Sequence, residues 1–229
     1  MQRYLFVVAH PDDEVLGAGA TIYKLSEKGN EVNICILCSM AEARSNRPES
    51  HELQDDLYAS METLGVSKFY TGEFVDSKLN SFPHLSIVQF IESAIADSMA
   101  THIITHHPSD LNNDHQITSL CCQEAARLSM RMTAEVPLVK SISYMEVLSS
   151  TDWTLNSSIQ QFRPNMFVEI GEAGVDKKIE ALSKYRGVMR PFPHPRCREI
   201  ILGLAAYRGG QSGCKYAEAF ETVFRRAQL

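Results

Sequence analysis

The chain has 229 residues, enough for one substantial core, with the 44% hydrophobic and 22% charged side chains of an ordinary soluble globular domain. Its formal net charge of −6 and pI near 5.8 exclude a general affinity for nucleic acid or anionic membranes. No apolar stretch approaches the ~20 residues of a membrane span, and the N-terminus lacks a basic region followed by a long apolar segment, so a cytoplasmic address is the default expectation.

Taken in chain order, an apolar run at 4–9 breaks abruptly into His10-Pro11-Asp12-Asp13-Glu14, and a helical pattern follows from Val15 to Lys28. This is how the carboxyl end of a buried parallel strand reads as it opens into a loop and a helix, and ligands bind at such ends. Pro11 biases His10 towards an extended backbone, so the cluster is held in place. The plainer alternative is a polar loop with a helix-capping Asp. Gly17-Ala18-Gly19 begins a G-x-G, but Ile22 stands where a dinucleotide fingerprint needs its third glycine. The glycines are expected to serve close packing of the helix instead.

Residues 31–38 predict a second strand, which gives way to a polar loop carrying Arg44 and Arg47; these either face the crevice that His10 faces or form a solvated basic pair. Helical spacing at 52–64, a short strand at 68–71, an irregular stretch containing Asp76, a helix at 86–99 and a strand at 102–105 follow. That strand ends in a second polar cluster, His106-His107-Pro108-Ser109-Asp110-Leu111-Asn112-Asn113-Asp114-His115, before a helix to about Met132. The alternation predicts an α/β doubly wound, mostly parallel sheet with helices on both faces and both polar clusters on one edge. Beyond Pro137 strands are expected at 138–148 and 166–170, helices at 175–185 and up to Tyr207, and a closing strand or edge segment at 216–221. The expectation is one domain over 1–229, a core at 1–135 with a C-terminal elaboration at 136–229.

Cys35-Ile36-Leu37-Cys38 is formally C-x-x-C, but it lies in a strand-like run where residues three apart point to opposite faces. All six cysteines are expected to be reduced thiols.

His10, Asp13 and His115 come from the two clusters and can meet around one metal. Two imidazoles and a carboxylate leave coordination positions open, as a catalytic site requires. Zinc would lower the pKa of a bound water to roughly 7 and polarise a carbonyl, and ferrous iron is the competing ion. Asp12, next to a ligand, is suited to take a proton from the attacking water and return it to a leaving amine; the alternative is support for a histidine ring, for which Asp114 is a separate candidate.

Ala9-His10-Pro11-Asp12-Asp13-Glu14, His107-Pro108-Ser109-Asp110 and Asp114-His115 together resemble the PIG-L/LmbE-type zinc-dependent N-deacetylases, and 52–66 and the closing Tyr216-Ala217-Glu218-Ala219-Phe220-Glu221 extend the likeness over most of the chain. The resemblance implies a Rossmann-like fold and removal of an acyl group, usually acetyl, from an amino-sugar nitrogen. By similarity His10, Asp13 and His115 hold the zinc, Asp12 is the general base, and Arg44 and Asp76 hold sugar hydroxyls. The implied partner is a small N-acetylated amino sugar or conjugate, with a homo-oligomer left open. The family commonly has H-x-D-H where this chain has Asn112-Asn113-Asp114-His115. Asn112 donates a hydrogen bond without charge, so either Asn112 suffices with the zinc or another group supplies the charge, His194, between prolines, being the first candidate and Arg44 the next. A zinc amidase cleaving a larger acyl group from a sugar or thiol conjugate and a non-catalytic sugar-binding domain are the alternatives.

Overall fold

A computed structural model of the chain describes residues 1–40, 49–131, 136–155 and 160–227. Among them, strands β1 (Arg3–Val8), β2 (Glu31–Ile36), β3 (Lys68–Thr71), β4 (His102–His106), β5 (Ser141–Met145), β6 (Met166–Glu169) and β7 (Ala217–Arg225) form one sheet in the order β3-β2-β1-β4-β5-β7-β6. The five strands from β3 to β5 are parallel, and β7 runs antiparallel to both β5 and β6. The fold is therefore the α/β doubly wound, mostly parallel sheet that the alternation predicts.

Strand alternation splits the core into two layers. Phe6, Val8, Ile34, Ile36 and Ile104 face one side, packed under α1 (Asp13–Glu27), α2 (Ser50–Leu64), α6 (Gly171–Lys184) and α7 (Arg198–Ser212). Leu5, Val7, Cys35 and Ile103 face the other, under α3 (His84–Ser98) and α4 (Asn113–Ala125). Helix α4 stops at Ala125, earlier than its periodicity suggests, and a separate turn, α5 (Leu128–Arg131), follows. Helix α7 runs past Tyr207 to Ser212, where Gly213 (φ 80) supplies the left-handed stop.

The chain leaves β1 towards β2 and β3 and returns on the other side to β4, so the crevice between the carboxyl ends of β1 and β4 is the topological switch point. Both polar clusters open there. Cys35 and Cys38 share one side of the sheet, contrary to strict alternation, because β2 ends at Ile36 and Cys38 forms an isolated bridge with Glu73. None of the six cysteines is joined in a disulfide.

Helix α1, which carries the first cluster, is built into the sheet unusually deeply. A Cβ at Gly17 would collide with the Met145 side chain, and one at Gly19 would lie 3.3 Å from Lys178 Cγ, so both glycines permit close approach. Lys178 Nζ donates to the Leu16 carbonyl (2.8 Å) and to Glu218 Oε1 (2.7 Å), while Glu218 accepts the Ala20 and Thr21 N–H groups (3.2 and 2.7 Å). The buried Lys178–Glu218 pair thus grips the middle turn of the helix at the Leu16 carbonyl and the Ala20 and Thr21 N–H groups. Glu218→Leu should therefore cost about 3–5 kcal/mol by stranding the buried ammonium, and adding Lys178→Met should recover much of that loss. Urea midpoints of the single and double variants check this; equal midpoints for wild type and Glu218→Leu would refute it.

Candidate metal centre

At the end of β1 the Ala9 N–H donates to His106 Nε2 (2.9 Å), tying the first loop to β4. Asp12 then adopts φ 106, a left-handed conformation that costs a non-glycine residue about 1–3 kcal/mol and that clusters at functional sites. Its carbonyl receives the first turn of α1 from Val15 and Leu16, and its N–H donates to Glu14 Oε2 (3.1 Å). Burial pushes Glu14 up to about 8, and the Tyr185 hydroxyl donates to it at 2.6 Å.

Within this frame Asp13 Oδ2 accepts the His10 N–H (2.9 Å) and lies 3.1 Å from His10 Nδ1 and 3.2 Å from His115 Nε2, while the two ring nitrogens are 3.3 Å apart. Each histidine is oriented from behind by a carboxylate. His10 Nε2 is 3.1 Å from Asp114 Oδ2, and His115 Nδ1 is 3.1 Å from Asp110 Oδ2. A metal-binding histidine uses its second nitrogen in this way, so the donor set fits a divalent ion held by His10, Asp13 and His115. Two other trios, His10–Cys38–Asp114 and His106–Asp110–His115, are also close enough to share an ion. They draw on the backing carboxylates and on side chains away from the pocket. His10, Asp13 and His115 instead line a pocket of about 240 Å³ with Asp12, Leu111, Asn112, Ser149, Ser150 and Arg196. A larger groove of about 950 Å³ lies between α2 and β3, but its described walls hold no histidine or cysteine.

The electrostatics agree. Burial alone would lower His10, yet Asp114, Asp13 and Asp76 hold it well above the ordinary imidazole range. Burial likewise opposes charge on His115, but Asp13 and Asp110 raise it to about 9. Asp13 is buried, which favours protonation, yet His115 and His10 hold it well below the usual carboxylate range. The cluster is an electrostatic well for positive charge that either protons or a metal ion can fill. His106, stacked on His115 at 3.8 Å, is driven down to about 3 by burial and by His115, and so packs as a neutral ring.

The other residues singled out from the sequence are spread more widely. Asp114 sits behind His10, where its carboxylate also accepts the Ser77 and Leu79 N–H groups (2.6 and 3.2 Å). Asn112 caps α4, its Oδ1 accepting from Asp114 N (2.9 Å), which leaves its NH₂ as the group it can turn to the pocket. Asp76 is fully buried, 3.3 Å from His10 Nε2 and thus on the far side of that ring from Nδ1. It does not line the pocket. His194 is exposed and also outside the pocket lining, and its Nδ1 accepts the Arg196 N–H (3.0 Å). Arg44 lies outside the described residues.

Two residues near those positions had no role assigned from sequence. Asp110, two residues after Pro108 in the second cluster, backs His115 and is itself held by the Ser150 and Thr151 hydroxyls and the Asn112 N–H. Arg196, two residues beyond His194, reaches Asp12 Oδ2 (3.1 Å). Asp110→Asn should weaken metal retention about 10–100-fold without abolishing it, because a neutral amide supports the ring less well. Metal titration against a competing chelator tests this, and unchanged affinity would reject the backing role.

Comparison with known proteins places these observations in a wider set. The sequence matches the PIG-L: GlcNAc-PI de-N-acetylase family over residues 5–126, more than half of the chain and spanning both clusters. It is 24% identical over 232 residues to a diacetylchitobiose deacetylase of Thermococcus kodakarensis, covering 97% of this chain and 84% of that protein. The fold is similar to that of the conserved protein TT1542 from Thermus thermophilus, with a TM-score of 0.80, 21% identity and coverage of 100% and 98% of the two chains. It is also similar to GalB, the 4-carboxy-2-hydroxymuconate hydratase of Pseudomonas putida, with a TM-score of 0.76, 20% identity and coverage of 100% and 99%.

Proposed function

We propose that this chain, which belongs to the PIG-L (GlcNAc-PI de-N-acetylase) family, is a metal-dependent hydrolase that removes the acetyl group from the nitrogen of an amino sugar. The observation that carries the reading is the convergence of His10 Nδ1, Asp13 Oδ2 and His115 Nε2 on a pocket that Asp12 also lines. The similarity to a diacetylchitobiose deacetylase supports the substrate class.

His10, Asp13 and His115 would hold the ion, with zinc proposed and ferrous iron the competitor. When bound, the ion supplies Lewis acidity, acidifying a water and polarising an amide carbonyl. Asp12 is the general base: its carboxylate takes the proton of the attacking water and passes it to the departing nitrogen, so that the amide and water become an amine and acetic acid, which ionise to ammonium and acetate. The strained backbone at Asp12 and the anchoring of Asp13 to the His10 N–H keep adjacent carboxylates in separate roles. Asp114 and Asp110 support the two imidazoles, and the Asn112 amide, in the pocket lining, donates to the substrate.

The decisive experiment measures acetate release from N-acetylglucosamine and diacetylchitobiose, before and after chelation, with zinc added back. Release that stops on chelation and returns with zinc supports the reading. No acetate from either sugar, or from longer N-acetylated conjugates, would reject it. Because GalB shows that the fold also serves a hydratase, addition of water to an unsaturated carboxylate is the control assay.

A further inference from the structure

We infer that Arg196 is a catalytic residue of this hydrolysis, its guanidinium meeting the amide oxygen as that atom takes on negative charge. This rests on the deacetylase reading above.

Hydrolysis of an amide moves charge onto the former carbonyl oxygen, and a preorganised cation in a water-poor site stabilises that charge far more than it would in water. Among the described residues the pocket offers one such group. Its lining comprises His10, Asp12, Asp13, Leu111, Asn112, His115, Ser149, Ser150 and Arg196, and Arg196 is the only lysine or arginine among them. The histidines belong to the metal set, so their nitrogens are committed. Arg196 is the remaining source of permanent positive charge in that lining.

Its placement is built rather than incidental. The side chain is 20% exposed, with Nη1 3.1 Å from Asp12 Oδ2 and Nε donating to Ser149 Oγ at 3.1 Å. Ser149 itself holds a left-handed backbone (φ 71) at the pocket wall. The loop that delivers Arg196 is stitched at both ends: Arg196 N donates to His194 Nδ1 (3.0 Å), Cys197 N to His194 O (2.9 Å), and Arg190 N to Arg196 O (3.3 Å). His194 thereby holds the backbone that carries Arg196. The contact with Asp12 places the cation beside the group that handles the water's proton. As that proton arrives on Asp12, the negative charge passes into the substrate, and a guanidinium fixed by Ser149 stays to meet it. Arg196 is suited to this because it remains charged at any working pH and presents five donors in a rigid fork.

The test uses the metal-loaded protein and the variants Arg196→Ala and Arg196→Lys, with metal content, kcat and KM measured for each. Arg196→Ala should lower kcat about a hundredfold with KM changed by less than about threefold, at unchanged metal content. Arg196→Lys should keep part of the rate. Guanidinium ion at low concentration should restore activity to Arg196→Ala, and sodium chloride of equal ionic strength should not. Calorimetry adds a readout other than turnover: a methylphosphonamidate of glucosamine, a tetrahedral anion, should bind Arg196→Ala about a hundredfold more weakly than wild type. Unchanged kcat, or a rise in KM with kcat intact, overturns the inference. If Arg196→Ala fails to fold, a fully active Arg196→Gln variant overturns it equally. Absence of acetate release by the wild type would instead reject the deacetylase reading itself, which keeps the two failures distinct.

Discussion

Asp12→Asn is expected to lose about two to four orders of magnitude in turnover while retaining its metal. Asparagine has the same shape but cannot take up a proton. It is also one of the few residues that tolerate the left-handed backbone found at position 12, so the loop should survive the change. Alanine would confound the result by adding backbone strain. Asp13, one residue away, points to His10 and His115 and is not replaced, so metal content should stay at the wild-type level. Steady-state kinetics beside elemental analysis makes the comparison. Near-normal turnover would move Asp12 out of the proton-transfer role.

The second large effect concerns the ion itself. Wild-type protein should purify with about one divalent ion per chain, and His115→Ala should lose both the ion and all activity above background. The side chain is buried, stacks on His106 and meets Asp13 and Asp110, so its removal opens the ligand set and leaves two carboxylates short of a partner. The sheet should persist, because its apolar layers do not depend on this ring, and far-ultraviolet circular dichroism can verify that. The pH dependence follows in sign. His115 at about 9 and His10, also raised, hold protons at neutral pH, and an incoming ion must displace them. Loading should therefore weaken as pH falls and strengthen as it rises. Full metal content in His115→Ala, or loading that improves on acidification, would refute the ligand assignment.

The first half of the sheet was legible because its strands are short apolar runs ending in polar loops, a pattern that fixes both direction and edge. The meeting of His10, Asp13 and His115 was legible for a related reason, since His10 and Asp13 lie just past β1 and His115 opens the helix that follows β4. Directions in the second half were not, because apolar spacing does not distinguish a strand antiparallel to its neighbours, as β7 is, from a parallel one. The family likeness puts Asp76 at the sugar hydroxyls, whereas in this structure it lies fully buried behind His10. Exposure of a single polar residue is not written in local sequence. The prolines draw attention to the stretch around His194, but which side chain it delivers depends on the path of the turn, and the turn delivers Arg196. Asp110 was hidden for a different reason. Its role exists only once α4 brings His115 back beside it.

The ion pair that grips α1 bears on how this protein is made. Ala20 receives a side-chain partner from a residue 198 positions later, and Leu16 from one 162 positions later. The clamp on the helix that presents Asp12 and Asp13 therefore forms only once nearly the whole chain has emerged. Contacts of such sequence separation form late and slowly, since the intervening chain must be ordered first. An N-terminal fragment carrying every proposed metal ligand would still lack the last strand that finishes their scaffold. Metal capture should accordingly be a late event of biosynthesis, following β7 into the sheet.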